Sequence, residues 1–338
     1  MAKWLDKEEF RLSELYNKYG NDYSKIAEVL TEEFDREFTY NATRNKIRRS
    51  SIIEYLPDKK GEGIFEGLDE NEEFNEYVEA KGKIKEVMDK FDKNYGDKDV
   101  DVLVISDLHV PLVDLDALEK VLLENQGCDI CIISGDFLDY KAISTYGNKR
   151  EVSVEEEYRY GFEVLKRICD IFEWVIIHEG NHCKRISRYF QNKIVTALSG
   201  YLTDKHKPLG EITRFFEDKN LDYVPHWFAQ IGDLLTVHSS RYSKVKLRTV
   251  RNVIDDRIEK NHTEEFAPFS TVISGHTHVA GKSEFSGKIG CEIGCLQQLN
   301  TAYRHSDAKG RNWVHAFGRV KIRKGKTNWN DVEVKLVD

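Results

Sequence analysis

The hydrophobic pattern of residues 99–338 predicts a sheet whose strands end in polar clusters. Apolar, β-branched runs alternate there with stretches of helical spacing, and five of them are VDVLVISDLH, CDICIISGD, WVIIHEGNH, GDLLTVHSS and FSTVISGHTH. Short apolar runs between helices are typical of buried, mostly parallel strands. Because the carboxyl ends of such strands converge on one crevice, we expect the polar clusters to meet there.

The polar residues at these strand ends are the types that a two-metal hydrolytic centre needs. In chain order the segments are DLH at 107–109, GDFLD at 135–139, GNH at 180–182, His238, and GHTH at 275–278. Two divalent ions about 3.5–4 Å apart require a bridging anion. Asp136 is the candidate bridge because it follows the Gly135 turn directly after a strand, and His238 would complete the second ion's shell.

The spacing of the other candidate ligands also favours shared coordination. Asp107 and His109 alternate on one strand end and can face the same ion, and His276 and His278 have the same spacing. Asn181 offers a neutral amide oxygen, which limits the negative charge of the site. A set of oxygen and nitrogen ligands without thiolate favours two divalent ions, manganese first, with iron, zinc or nickel as alternatives, over a closed structural zinc site.

These five motifs, in this order, resemble those of the calcineurin-like metallophosphoesterases, a superfamily of binuclear metal hydrolases. The resemblance implies an α/β fold, a two-sheet α/β/β/α sandwich, in which a metal-bridging hydroxide attacks phosphorus. It also implies two ligand sets that share Asp136: Asp107, His109, Asp136 and His278 for the first ion, and Asp136, Asn181, His238 and His276 for the second. His182 corresponds to the family's catalytic histidine, which contacts the phosphate and assists the leaving group.

Two departures from the family pattern narrow the expected activity. Cys183 stands where the family usually has the Asp or Glu that orients the histidine. The family's protein phosphatases have an arginine after the second aspartate of GDxxD, whereas Asp139 is followed here by Tyr140 and Lys141. GDFLD looks more like the nuclease and phosphodiesterase branches, including the SbcD-type repair nucleases. The segments GCLQQLNTAYRH and NWVHAFG resemble those of phage-encoded members.

The segment after GNH offers further candidates for substrate binding. Arg185 and Arg188 lie one turn apart and can hold a phosphodiester backbone, although a solvated helix start explains them equally well. HEGNH at 178–182 also matches the zinc-protease pattern HExxH, but that pattern requires a helix, and Gly180 after a β run excludes one. Helices are expected at 116–125, 153–172 and 185–200.

Residues 1–55 predict a separate bundle of three short helices. A third helix from about Tyr40 to Arg49 would bury Tyr40, Thr43 and Ile47. With YSKIAEVL and TRNKIRR, the bundle resembles a Myb- or homeodomain-like helix-turn-helix. That resemblance favours DNA contacts from the polar and basic residues of this helix, Asn41, Arg44, Asn45, Arg48 and Arg49, because Asn pairs with adenine and Arg with guanine or phosphate. The alternative is a bundle for protein contacts or homo-oligomerisation.

Residues 56–98 are predicted to be an acidic linker and a connecting helix before the hydrolase domain at 99–338. The acidic run from Glu62 to Glu79 repels itself and extends. A helix from about Asn75 to Asp92 would dock Tyr77, Ile84 and Val87 on the core.

Composition sets limits on the partners and the compartment. The formal net charge is −8, so DNA binding needs a local basic patch. No apolar stretch reaches the 18 or so residues of a membrane span, the N-terminus lacks a signal-peptide core, and six cysteines form no disulfide pattern. We therefore expect a cytoplasmic protein without a membrane partner.

These patterns predict a metal-dependent phosphodiesterase, a DNA nuclease in the first instance, held on DNA by its N-terminal bundle. One alternative is hydrolysis of cyclic nucleotides or phosphomonoesters, with the bundle used for assembly. A non-catalytic scaffold ranks last, because every candidate ligand is present.

Overall fold

The computed structural model describes the chain over residues 6–19, 22–34, 36–49, 72–140, 143, 152–185, 189, 208–216, 219–239, 242–243, 245–259, 268–300 and 312–337. The chain divides into two compact units, Met1–Asp69 and Glu70–Asp338. Within the described residues no helix is long and apolar enough to cross a membrane.

The first unit contains three helices, α1 (Asp6–Tyr19), α2 (Tyr23–Phe34) and α3 (Tyr40–Arg49). Its core is formed by side chains at helical spacing on α1 and α2, together with Phe38 from the loop before α3. The helical members are Leu12, Leu15, Ile26, Ala27 and Leu30. The Asp22 carboxylate accepts a hydrogen bond from Lys25 N at 3.0 Å and caps α2. The predicted three-helix bundle is therefore present.

The prediction for Tyr40 was wrong. Its side chain is 46% exposed, whereas Thr43 on the same helix is fully buried. Tyr40 is the first residue of α3, and its ring meets the ring of Tyr23 edge-on, with the ring centroids 5.8 Å apart. Helical spacing identifies the buried face of a helix, but it does not show that the packed core begins only after the first residue of α3.

The connecting helix, α4 (Glu72–Tyr95), is longer than predicted at both ends. Ile84, Val87 and Phe91 are buried in the core of the second unit. The helix packs against the strands β4 (Leu221–Val224) and β5 (Phe228–Ile231). It is therefore part of the second unit.

The first sheet of this unit has six strands in the order β11-β10-β1-β2-β3-β4. Neighbouring strands among β1 to β4 are parallel. On the other side of β1, β10 pairs with β1 and β11 pairs with β10, both antiparallel. Besides β4, its strands are β1 (Asp99–Ile105), β2 (Ile130–Ser134), β3 (Trp174–His178), β10 (Ala316–Arg323) and β11 (Val332–Leu336).

The second sheet has five strands in the order β5-β6-β7-β9-β8. β6, β7 and β9 are parallel, and the edge strands β5 and β8 are antiparallel to their neighbours. Besides β5, its strands are β6 (Leu234–Val237), β7 (Thr271–Ser274), β8 (Ala280–Phe285) and β9 (Lys288–Ile293).

Besides α4, the described residues include four helices beside the sheets: α5 (Leu115–Glu124), α6 (Val154–Cys169), α7 (Pro208–Arg214) and α8 (Arg248–Glu259). α5 and α6 lie within a few residues of their predicted ranges, and α6 begins at a Ser153–Glu156 capping box. Most of the predicted helix at 185–200 lies outside the described residues. α7 and α8 were not predicted.

Alternation along the strands distributes the apolar side chains between two cores. On β1, Leu103 and Ile105 pack with α5, α6 and α7, whereas Val102 and Val104 pack between the two sheets. α8 covers the outer face of the second sheet through β7 and β9. The predicted two-sheet α/β/β/α sandwich is confirmed.

Candidate metal centre

The carboxyl ends of five strands bring the predicted ligands together. DLH follows β1, GD follows β2, GNH follows β3, His238 follows β6, and GHTH follows β7. The loops after β1 and β2 are joined by main-chain hydrogen bonds, His109 N to Asp136 O at 2.9 Å and Val110 N to Phe137 O at 2.8 Å. These bonds fix the spacing between the first two motifs.

The backbone at the candidate ligands is strained. Asp107, His109, Asp136, His276 and His278 all have positive φ, between 44° and 78°. Non-glycine residues seldom adopt this region, and such strain concentrates at functional sites. Each turn directs its side chain into the space between the two sheet ends.

Three motif glycines leave room for these side chains. An added Cβ at Gly135 would overlap the ring of His238, one at Gly180 would overlap the Asp136 carboxylate, and one at Gly275 would overlap Ser106 Oγ. The glycines of GD, GNH and GHTH are therefore required by close approach of neighbouring motifs, and Gly135 also has φ of 77°.

Asp107, His109 and His278 form the first cluster, and their ligand atoms lie within 4.8 Å of one another. His278 Nε2 is 3.0 Å and His109 Nε2 is 3.5 Å from Asp107 Oδ1. Ser106 Oγ donates to the other Asp107 oxygen at 2.6 Å and leaves Oδ1 directed at the histidines. This arrangement fits the first predicted ligand set.

Asp136, His238 and His276 form the second cluster. His238 Nε2 is 3.1 Å from Asp136 Oδ2 and 3.1 Å from Asn181 Oδ1. The other ring nitrogen, Nδ1, donates to Ser134 O at 2.9 Å, so Nε2 is the nitrogen that would bind a metal in place of a proton. The second predicted ligand set is therefore also gathered at one place.

Asp136 lies between the two clusters. It also belongs to a third group with His109 and His182. Its Oδ1 accepts a hydrogen bond from His182 N at 2.9 Å, and its Oδ2 is 3.9 Å from His109 Nε2. Because Oδ2 faces histidines of both clusters, this carboxylate is in the position that a bridging ligand requires.

The nitrogen and oxygen atoms of the two clusters are suited to bind divalent metal ions. His109 Nε2 is buried, faces Asp107 and Asp136, and has no hydrogen-bond partner among the described residues. Burial lowers the pKa of His109, but the neighbouring carboxylates of Asp107, Asp139 and Asp136 outweigh it and raise the pKa to about 10. Burial likewise opposes charge on His238, but Asp136 and Asp107 raise its pKa to about 9. The buried carboxylates thus attract positive charge, which metal ions would supply.

His182 is oriented by Asp139. His182 Nδ1 lies 3.1 Å from Asp139 Oδ1, and Arg185 Nη2 lies 2.7 Å from His182 Nε2. Burial, together with the neighbouring His109 and Arg185, lowers the pKa of His182 although Asp136 and Asp139 favour its charged form. A carboxylate therefore lies beside His182 Nδ1 although position 183 is a cysteine.

Cys183 has a different environment. Its side chain is buried, and burial raises the pKa of the thiol well above its usual value. All six cysteines are buried and unpaired.

The contact of Asp139 with His182 was not predicted from the sequence, although Asp139 lies three residues after Asp136 in GDFLD.

Gln297 is a second residue that sequence reasoning missed. Its side-chain amide lies 3.0 Å from His278 Nδ1, and its main-chain oxygen accepts a hydrogen bond from His315 Nε2 at 2.8 Å. A histidine that binds metal through Nε2 carries its proton on Nδ1, and the amide oxygen can accept that proton after a flip of the amide. The only signal was the polar GCLQQLN segment, whose contact with His278 depends on the fold.

The other candidates are placed as follows. Arg185 Nη1 donates to Asp139 O at 2.7 Å, at the edge of the centre, and Arg188 lies outside the described residues. HEGNH does not form the helix of a zinc protease, because its first histidine, His178, is the last residue of β3. Burial lowers the pKa of His178 to about 3.

The DNA-binding candidates lie on α3, where Asn41 is exposed and Arg44 is half-buried. The side chains of Asn45, Ile47, Arg48 and Arg49 lie outside the description.

The chain matches one family model. A family model described as calcineurin-like phosphoesterase matches residues 100–280. No curated protein matches the chain. Among solved structures, an archaeal phosphodiesterase is 14% identical, with 70% of this chain and 99% of that chain covered and a TM-score of 0.35. A hypothetical protein of Pyrococcus horikoshii is 13% identical, with 71% of this chain and 88% of that chain covered and a TM-score of 0.41. Vps29 of Cryptosporidium parvum is 16% identical, with 70% of this chain and 97% of that chain covered and a TM-score of 0.34.

Proposed function

Since the chain belongs to the family of calcineurin-like phosphoesterases, we propose that it is a metal-dependent phosphodiesterase that cleaves DNA. The observation that carries the proposal is Asp136 between two buried His/Asp clusters, with a His182–Asp139 pair beside it. Asp107, His109, Asp136 and His278 would hold one ion, and Asp136, Asn181, His238 and His276 the other. When bound, the ions supply charge stabilisation to an in-line displacement at phosphorus.

His182 is the group in this chain suited to protonate a leaving oxygen. Its Nδ1 faces Asp139, which stabilises the charged ring, and its Nε2 faces Arg185 and the side of the metal centre that Asp136 occupies. A phosphate oxygen that binds Arg185 would separate the guanidinium from Nε2 and leave this nitrogen to carry the proton. A diester with an alkoxide leaving group needs such an acid more than a nitrophenyl ester does.

One feature supports DNA over a small substrate, and two others are compatible with DNA. The three-helix unit resembles DNA-binding bundles, and its α3 presents Asn41 on an exposed position. GDFLD lacks the arginine that the resemblance associates with protein phosphatases, which argues against a phosphoprotein substrate. Arg185, at the edge of the centre, can bind a backbone phosphate because guanidinium matches phosphate geometry.

A substrate panel tests the proposal. The full chain is incubated with Mn²⁺ and linear DNA, circular DNA, a cyclic nucleotide or nitrophenyl phosphate, with Asp136→Asn as the control for contaminating nucleases. We expect Mn²⁺-dependent DNA cleavage that the control lacks. Hydrolysis of the cyclic nucleotide or the monoester without DNA cleavage would replace DNA with a small-molecule substrate.

A further inference from the structure

A basic stretch follows His238 directly. Residues 241–251 contain five basic and no acidic residues, in a chain of net charge −8. The structure describes three of these five, Lys246, Arg248 and Arg251, and all three are exposed. Lys246 and Arg248 form no ion pair with any residue in the described parts of the chain, and Arg251 is 3.5 Å from Asp255. Their positive charge is therefore available to an external anion.

This stretch begins at the metal centre. The ring of Tyr242 meets the ring of His276 edge-on, with centroids 6.0 Å apart and an interplanar angle of 88°. Tyr242 is 48% exposed, so one part of its ring remains open to a ligand. An exposed aromatic ring beside the reacting centre is suited to stack on a nucleobase.

Hydrogen bonds hold the main chain in place at Ser243 and Leu247. Leu247 N donates to the Glu292 carboxylate at 2.8 Å, and Ser243 N donates to Thr249 Oγ1 at 3.0 Å. Leu247 has φ of 63°, which turns the chain into α8. The side chains of Lys246 and Arg248 are thus presented from a fixed backbone, which lowers the entropy cost of binding.

Two adjoining cavities extend along this surface. One of about 540 Å³ is lined by three cations and one carboxylate, Lys246, Arg248, Arg251 and Asp255, and also by Ser283 and Phe285. The other, of about 890 Å³, shares Lys246 and continues along β8 and β11. Together they exceed the roughly 300–1,000 Å³ of a small-molecule site. Their size and charge suit an extended polyanion better than one phosphate group.

We propose that Tyr242, Lys246, Arg248 and Arg251, here named the basic track, bind single-stranded DNA next to the phosphodiester that is cleaved. Tyr242 stacks on a base beside the metal centre, and the three cations contact successive backbone phosphates. Stacking requires an unpaired base, so the track selects a single strand over a duplex. The inference rests on the proposed nuclease function and places substrate contacts within the hydrolase unit.

The test measures binding of a fluorescent oligothymidylate to the full chain by anisotropy over a series of salt concentrations, with Ca²⁺ replacing Mn²⁺ to suppress turnover. Lys246→Ala/Arg248→Ala should weaken binding and lower the slope of log K against log salt by about 0.7 for each lost contact. The matched control, Arg159→Ala/Lys166→Ala, removes one arginine and one lysine from exposed positions on α6, which packs on the first sheet. It should bind as the wild type does.

Tyr242 is tested separately. Tyr242→Ala should weaken oligothymidylate binding by roughly 5- to 100-fold, the range for one lost stack, whereas Tyr242→Phe should retain most of the affinity. Equal loss in both variants would show that stacking is not the role of this ring. An unfolded variant would be recognised by its melting temperature.

The outcomes separate the track from the nuclease proposal. If the wild type cleaves DNA but Lys246→Ala/Arg248→Ala keeps its affinity and salt slope, the basic track is refuted and the nuclease stands. If the wild type binds the oligonucleotide through the track but does not cleave DNA with Mn²⁺, the track stands and the nuclease fails. A duplex bound more tightly than the single strand, with the same loss in the variant, would refute the strand preference.

Discussion

The metal centre and the third helix of the N-terminal bundle differ in how firmly the chain holds their functional side chains. Asp107, His109, Asp136 and His238 are almost fully buried. Strained turns hold the first three, and a hydrogen bond to Ser134 O holds His238. On α3, by contrast, Asn41 is exposed and its position follows only from the helix. Sites whose side chains are fixed by packing suit chemistry, and exposed faces suit association. The proposed roles of the two regions follow this difference, and substitutions can test it.

Asp136→Asn should have the largest effect. The substitution removes the negative charge that both clusters share, so both ions should bind more weakly. Phosphodiesterase activity should fall by more than the roughly 10–100-fold typical of residues that only support a ligand. The measurement is the rate with saturating Mn²⁺ together with the metal content by elemental analysis. Full metal content with full activity would show that Asp136 is not the bridge.

His182→Ala should have the next largest effect, and it should depend on the leaving group. We expect a loss of about 10²–10⁴ in rate on a dinucleotide, where the sugar oxygen needs a proton, and a much smaller loss on a nitrophenyl diester. Asp139→Asn should reproduce the pattern more weakly, because it removes the charge that faces His182 Nδ1. Equal losses on the two substrates would assign His182 to phosphate binding.

Gln297→Ala should have a moderate effect on metal affinity. The side-chain amide contacts His278 Nδ1, the ring nitrogen that does not face Asp107. Loss of such a partner typically costs about 10–100-fold in affinity or activity. Gln297→Glu, which keeps an acceptor for the Nδ1 proton, should restore much of the affinity. Titration of the metal-free protein with Mn²⁺ measures the change. Unaltered affinity in both variants would contradict a supporting role.

Arg48→Ala/Arg49→Ala should have the smallest effect and should leave the centre unchanged. If α3 contacts duplex DNA, the slope of log K against log salt should fall by about 0.9 for each lost phosphate contact. Hydrolysis of a nitrophenyl diester should equal that of the wild type. An unaltered slope would favour the alternative in which the bundle contacts protein.

Sequence predicted the fold and the composition of the centre more completely than its supporting contacts. The ligands lie at strand ends that hydrophobic runs predict, so their convergence follows from the parallel sheet. Asp139 and Gln297 act on histidines from other segments, and no local pattern indicates which histidine each one meets. Tyr40 was wrongly predicted to be buried because helical spacing shows which face is apolar but not where the bundle ends.

The central claim is a pair of metal ions that share Asp136, and anomalous scattering from a crystal soaked in Mn²⁺ tests it most directly. The account predicts two peaks about 3.5–4 Å apart. One should be bound by Asp107, His109 and His278, the other by Asn181, His238 and His276, and Asp136 should lie between them. A single ion, or no ion next to Asp136, would contradict the binuclear centre.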